Sequence, residues 1–85
     1  MYNISICASA LKELGKLPKA MAQKAGKAID SLAEEPRPVG VKKLKGKYED
    51  LYRIRITDYR IIYGIEDEIR IVDIRRIGYR KDIYR

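Results

Sequence analysis

The segment LYRIRITDYRIIYGI, Leu51 to Ile65, constrains the fold of this chain more than any other stretch. Tyr52, Ile54 and Ile56 alternate with Arg53 and Arg55, which is the two-residue period of a strand with one apolar face. A second apolar run, YRIIYGI, follows after only Thr57 and Asp58, so the two strands are expected to pair antiparallel across a very tight turn. If helices cover the apolar parity, Arg53 and Arg55 must project from the open side of the sheet. Arg60 shares parity with Ile62 and opposes Tyr59, Ile61 and Tyr63, so apolar residues flank it on both faces and its side is left open.

The rest of the chain supplies the cover. YNISIC, Tyr2 to Cys7, has strand alternation. Ser9 is expected to cap a short helix that carries Leu11 and Leu14 and ends near Gly15. Pro18 suits the first turn of a second helix, with Met21, Ala25, Ala28, Ile29 and Leu32 as its apolar stripe, and EEPRP closes it. The basic connection VGVKKLKGKYED enters a strand around Lys43 to Lys45. After an acidic turn, IRIVDIRRI, Ile69 to Ile77, forms the last strand, which Gly78 is expected to break, releasing the tail YRKDIYR. The expected order is β-α-α-β-β-β: an α+β fold with one layer of antiparallel sheet and an N-terminal helical hairpin on one face.

Eighty-five residues, 46% of them hydrophobic, suffice for a single domain spanning 1–85. Cys7 is the lone cysteine, which rules out an internal disulfide and points to a reducing, cytoplasmic setting; without a histidine partner it reads as packing. The absence of histidine removes the commonest proton shuttle and zinc ligand, so no zinc site or histidine triad is expected. Glu66, Asp67 and Glu68 read as a solvated turn, and the Gly-Lys pairs of AGKA and KGKY lack the rest of a phosphate loop. Neither a metal nor a cofactor is expected, nor a membrane partner, since no stretch approaches the length needed to span a bilayer. The net charge of +7 instead points to a partner rich in phosphate or carboxylate. Asp58 is the only acid in LYRIRITDYRIIYGI, so its arginines would repel one another unless an outside anion neutralised them. The guanidinium fork suits phosphate, and Tyr79, Arg80 and Tyr84 of the tail are placed to fold back as an aromatic edge to the same face. The plainer alternative is a solvated sheet face.

PRPVGVKKLKG, LYRIRITDYRIIYGI and IGYRKDIYR, in that order, resemble the RelE branch of the RelE/ParE toxin superfamily over nearly the whole chain. The resemblance implies a type II toxin–antitoxin toxin: a metal-independent endoribonuclease that cuts messenger RNA in the ribosomal A site. Cleavage would proceed by attack of the ribose 2′-hydroxyl on the adjacent phosphate, and a cognate antitoxin would hold the toxin inactive in a hetero-oligomer. The family pattern carries catalytic roles to Arg53, Arg55, Arg60, Arg80 and Tyr84. The strand arginines position the phosphate and stabilise charge, Arg80 stabilises charge or assists the leaving group, and Tyr84 either transfers a proton or stacks on a base. Lys42, Lys43, Lys45, Lys47 and Tyr79 fall on the RNA-binding side. Two departures stand out: the family prototype has lysines where Arg53 and Arg55 stand, and many relatives have histidine where Tyr79 stands. A guanidinium stays protonated, so neither arginine serves as a general base. A ParE-like, non-enzymatic inhibitor of DNA gyrase and a catalytically impaired RNA-binding homologue are the alternatives on the same fold.

Overall fold

A computed structural model of the chain describes residues 1–48 and 50–83. It runs β1 (Asn3–Ile6), α1 (Ala8–Gly15), α2 (Lys19–Leu32), β2 (Lys42–Lys43), a 3₁₀ turn (Gly46–Tyr48), β3 (Leu51–Ile56), β4 (Tyr59–Glu66) and β5 (Ile71–Tyr79). Among the described residues the strands form one five-stranded sheet in the order β1-β5-β4-β3-β2. The fold is α+β with an N-terminal helical hairpin, as the patterning implies. The very tight turn is there too: Ile56 pairs with Tyr59 and two residues reverse the chain.

Four details depart from the sequence reading. The sheet is mixed rather than wholly antiparallel, because β1 pairs parallel with β5, Asn3 beside Ile71 and Ile6 beside Ile74; a strand at the far end of the sequence leaves no local trace of its partner. The strand expected around Lys43 to Lys45 is present but spans only Lys42–Lys43, and it brings the sheet to five strands where the expected order counted four. Cys7, not Ser9, occupies the N-cap of α1, without a capping side chain. Gly78 does not end β5; it lies within the strand, paired with Arg60, and the strand begins at Ile71 because Ile69 and Arg70 belong to the preceding turn.

Ala25, Ile29 and Leu32 of α2 and Ala10 of α1 pack on Ile61, Tyr63, Val72, Ile74 and Ile77 to form the core. Met21 and Ala28, expected in the same stripe, are only half-buried. The segment after α2 is clamped to this side of the sheet. The Tyr63 hydroxyl donates to the Pro36 carbonyl at 2.7 Å, and the Arg37 guanidinium lies 5.3 Å over the Tyr52 ring. Arg37 also grips Asp67 through both terminal nitrogens, at 3.2 and 2.9 Å, while the Tyr2 hydroxyl donates to the same carboxylate at 2.7 Å. Asp67 therefore ties the chain's start to the β4–β5 turn.

The Arg37 guanidinium, and after it the Tyr2 hydroxyl, hold the Asp67 carboxyl at about 2. An unfolded aspartate titrates at ~3.9, so the contribution of this clamp is complete above roughly pH 5 and is lost as pH falls toward 2. Asp67→Asn is expected to flatten the dependence of melting temperature on pH between roughly 5 and 2. Thermal denaturation at a series of pH values checks this, and parallel curves for the two proteins would contradict it.

Candidate active site

The helices leave one face of the sheet uncovered, and strand register decides what that face presents. On β3, Tyr52, Ile54 and Ile56 pack toward the helices, so Leu51, Arg53 and Arg55 point to the open side. On β4, Ile61, Tyr63 and Ile65 pack inward, which assigns Arg60, Ile62 and Gly64 to the open face. Two rows cross the sheet there. One holds Arg55, Arg60 and Gly78; the next holds Lys42, Arg53, Ile62 and Arg76.

Arg55 and Arg60 stand directly opposite each other in register. Two cations so placed would repel if both heads shared one patch of solvent. Their environments separate them. Arg55 is exposed, whereas Arg60 is only 8% exposed and its Nη1 donates to the carbonyls of Thr57 (3.4 Å) and Tyr59 (3.2 Å). Thr57 needs that support, being a β-branched residue at φ 53°. Arg80 meets the same turn from the tail, its N–H donating to the Asp58 carbonyl at 2.8 Å and its Nε lying 4.0 Å from the Asp58 carboxylate. One turn thus gathers Arg55, Arg60 and Arg80 at one end of the sheet. Arg53 is half-buried in the next row and, with Lys42, Arg55, Pro38, Val39, Gly40 and Ile54, lines an open hollow of about 400 Å³.

The remaining expected site residues divide. Lys42 joins the arginines through its register with Arg53, but Lys43 pairs with Tyr52 and shares the opposite parity, lining a different hollow with Lys45. Lys47 lines a third, of about 490 Å³, together with Leu51, Asp73, Arg75, Arg76, Cys7 and Ser9. Tyr79 pairs with Tyr59 and meets its ring edge-on, 5.5 Å between centroids, on the parity of Ile61 and Ile77; it therefore faces away from the arginines it was expected to join. The tail's return to the sheet comes after Tyr79 rather than at it. Tyr84, the expected proton-transfer residue, lies outside the described residues.

The sequence reading missed Arg76 and Glu13. Ile62 faces Arg76 while Tyr63 faces Ile74, so Arg75 is the extra residue of a β-bulge that turns Arg76 onto the open face. The spacing of Ile74 and Ile77, three apart in a strand whose apolar residues should recur every two, is the signal that could have found it. Glu13 of α1 accepts the Ile77 N–H at 3.0 Å and pairs with the Arg76 guanidinium at 3.1 Å. Cys7 packs against the core as expected, and hydrogen bonding to Ser9 lowers its thiol below the usual range.

Permanently charged groups clustered on one face attract and orient a phosphodiester and stabilise charge that builds on it, but they do not move protons.

Known proteins resemble this chain in sequence and in fold. Residues 4–84 match the family model described as the ParE toxin of the type II toxin–antitoxin system parDE. Toxin RelG of Mycobacterium tuberculosis is 35% identical over 85 residues, covering 99% of this chain and 97% of that one. The archaeal RelE–RelB complex from Pyrococcus horikoshii OT3 superposes with a TM-score of 0.82 at 34% identity, covering 95% of this chain and 97% of its counterpart. The toxin–antitoxin complex RelBE2 from Mycobacterium tuberculosis gives 0.83 at 28% identity, with coverage of 93% and 98%. A match of this extent, on a sheet whose uncovered side carries the arginines, identifies the chain as a RelE-like member of the ParE toxin family of type II toxin–antitoxin systems.

Proposed function

We propose that this toxin is a ribosome-dependent endoribonuclease that cuts messenger RNA without a metal, working in the cytoplasm and restrained by a cognate antitoxin. The observation that carries the reading is exposed Arg55 in register with anchored Arg60 on the side of the sheet away from the helices, with Arg53 and Lys42 in the next row. The 2′-hydroxyl loses its proton to solvent water as its oxygen bonds to phosphorus, and the bond from phosphorus to the 5′-oxygen breaks as that oxygen takes up a proton from Tyr84, which water then reprotonates. Between these events the phosphorane carries extra negative charge. Arg60, anchored by the turn carbonyls, is preorganised to meet that charge, and Arg55 and Arg53 grip the non-bridging oxygens. Arg80 serves the leaving oxygen. Tyr84 is assigned the mobile proton, since the arginines stay protonated and a phenol can give one up and take it back.

The antitoxin assignment follows from the relatives whose structures are RelE–RelB or RelBE complexes. A net charge of +7 suits an acidic or amphipathic partner as well as RNA.

Primer extension on messages from a translation reaction, with and without ribosomes, tests the reading. Cuts that require the ribosome are expected, and Tyr84→Phe is expected to slow them on the order of 10²-fold, the usual worth of a placed proton donor. Gyrase-linked DNA breaks with intact message would replace this reading with gyrase inhibition. RNA binding without cuts would reduce it to an impaired homologue.

A further inference from the structure

Arg76 belongs by register to the cationic face, yet its guanidinium is already engaged. Nε and Nη2 contact the Glu13 carboxylate at 3.2 and 3.1 Å, and Nη1 donates to the carbonyl of Ile83 at 3.1 Å. The other Glu13 oxygen accepts the Ile77 N–H, so one carboxylate from α1 holds both the bulged strand and the arginine. The free arm of that arginine then holds the tail.

Ile83 is fully buried. The amides of Asp82 and Ile83 both donate to the Tyr79 carbonyl, at 3.0 and 3.1 Å, which folds the tail back on β5. Ile83 packs directly over Gly78, where a Cβ would stand in ordinary van der Waals contact, 3.7 Å from the Ile83 Cβ. Ile62, in register with Arg76, is likewise fully buried although it faces away from the helices. An apolar residue on that face stays dry only under cover from the same side, and the tail is the segment that returns there.

We infer that the Glu13–Arg76 pair is a latch that fixes the C-terminal tail at Ile83 on the cationic face, making both side chains positioning residues for the toxin's reaction. The inference rests on the RNA-cleavage reading for its kinetic consequence, but not for the latch itself. Arg80, which serves the leaving oxygen in that reading, lies between Tyr79 and Ile83, so fixing Ile83 also fixes the segment that carries Arg80. A charge off its line by about an ångström forfeits rate rather than binding.

Two measurements on the wild type, Arg76→Lys, Ile83→Ala and Ile83→Val test this. Lysine retains the charge facing Glu13 but lacks the fork that reaches the carboxylate and the tail together. Amide hydrogen exchange at Asp82 and Ile83 is expected to quicken about tenfold or more in Arg76→Lys and Ile83→Ala, with the β3 and β4 amides unchanged, because only local opening becomes easier. The maximal cleavage rate should fall about tenfold in both with KM unchanged, and Ile83→Val should recover both properties. Exchange that stays slow in both variants overturns the latch. Faster exchange with an undiminished rate overturns the positioning role, as does a loss confined to KM, which would make Arg76 an RNA-binding group. A wild type that cuts no message removes the cleavage reading alone, since exchange still decides whether the latch exists.

Discussion

Arg55→Ala is expected to slow RNA cleavage by about 10²–10³-fold, the cost of removing one preorganised charge from a transition state that accumulates negative charge. It should do so with little effect on stability. Arg55 is exposed, and a surface substitution of this kind changes folding free energy by within about 0.5 kcal/mol. Arg60→Ala makes the informative contrast. A similar loss of rate is expected there, but with an added cost of about 1–3 kcal/mol, because the Thr57 and Tyr59 carbonyls lose their buried donor and the strained turn loses its brace. Single-turnover cleavage and urea denaturation of the two variants separate catalysis from scaffolding. Full activity in Arg55→Ala would remove the electrostatic mechanism proposed for this face.

Tyr63→Ala is expected to cost about 3–5 kcal/mol, which is most of the stability available to a domain of this size. Tyr63 is fully buried, stacks on Tyr52 at 5.9 Å between centroids, and bonds through its hydroxyl to Pro36. Burial also pushes its phenol well above the ordinary value, so at neutral pH it is the protonated form that donates to Pro36. Tyr63→Phe retains the ring and strands only the Pro36 carbonyl, at about 1–3 kcal/mol. Urea midpoints with unchanged slopes would check both values, and equal costs for the two variants would show that the hydroxyl, not the ring, carries the anchoring.

The meander was legible because β3 and β4 alternate cleanly around a two-residue turn, and the open side of Arg53 and Arg55 follows from that parity alone. Arg60 was not assignable, since apolar residues flank it on both parities; register with Arg55 and the carbonyls of the turn decide its place. The bulge at Arg75 shifts parity within β5, which is why Arg76 went unnoticed among the open-face cations. The basic run from Lys42 to Lys47 reads as one cluster in sequence, but a two-residue strand followed by a 3₁₀ turn sends its members in three directions. Pairing between Tyr59 and Tyr79 depends on β5 continuing through Gly78, a residue that reads as a strand breaker in sequence.

The parallel alignment of β1 with β5 has a consequence for how the protein is made. The first strand of the sheet docks against β5, Asn3 with Ile71, so it must wait until both helices and the other three strands have been synthesised. Until then, the arginine-bearing hairpin lacks the edge that completes its sheet. A sheet assembled in this order closes on β1 only once β5 is in place, so the edge of β5 that receives β1 is the last pairing to form.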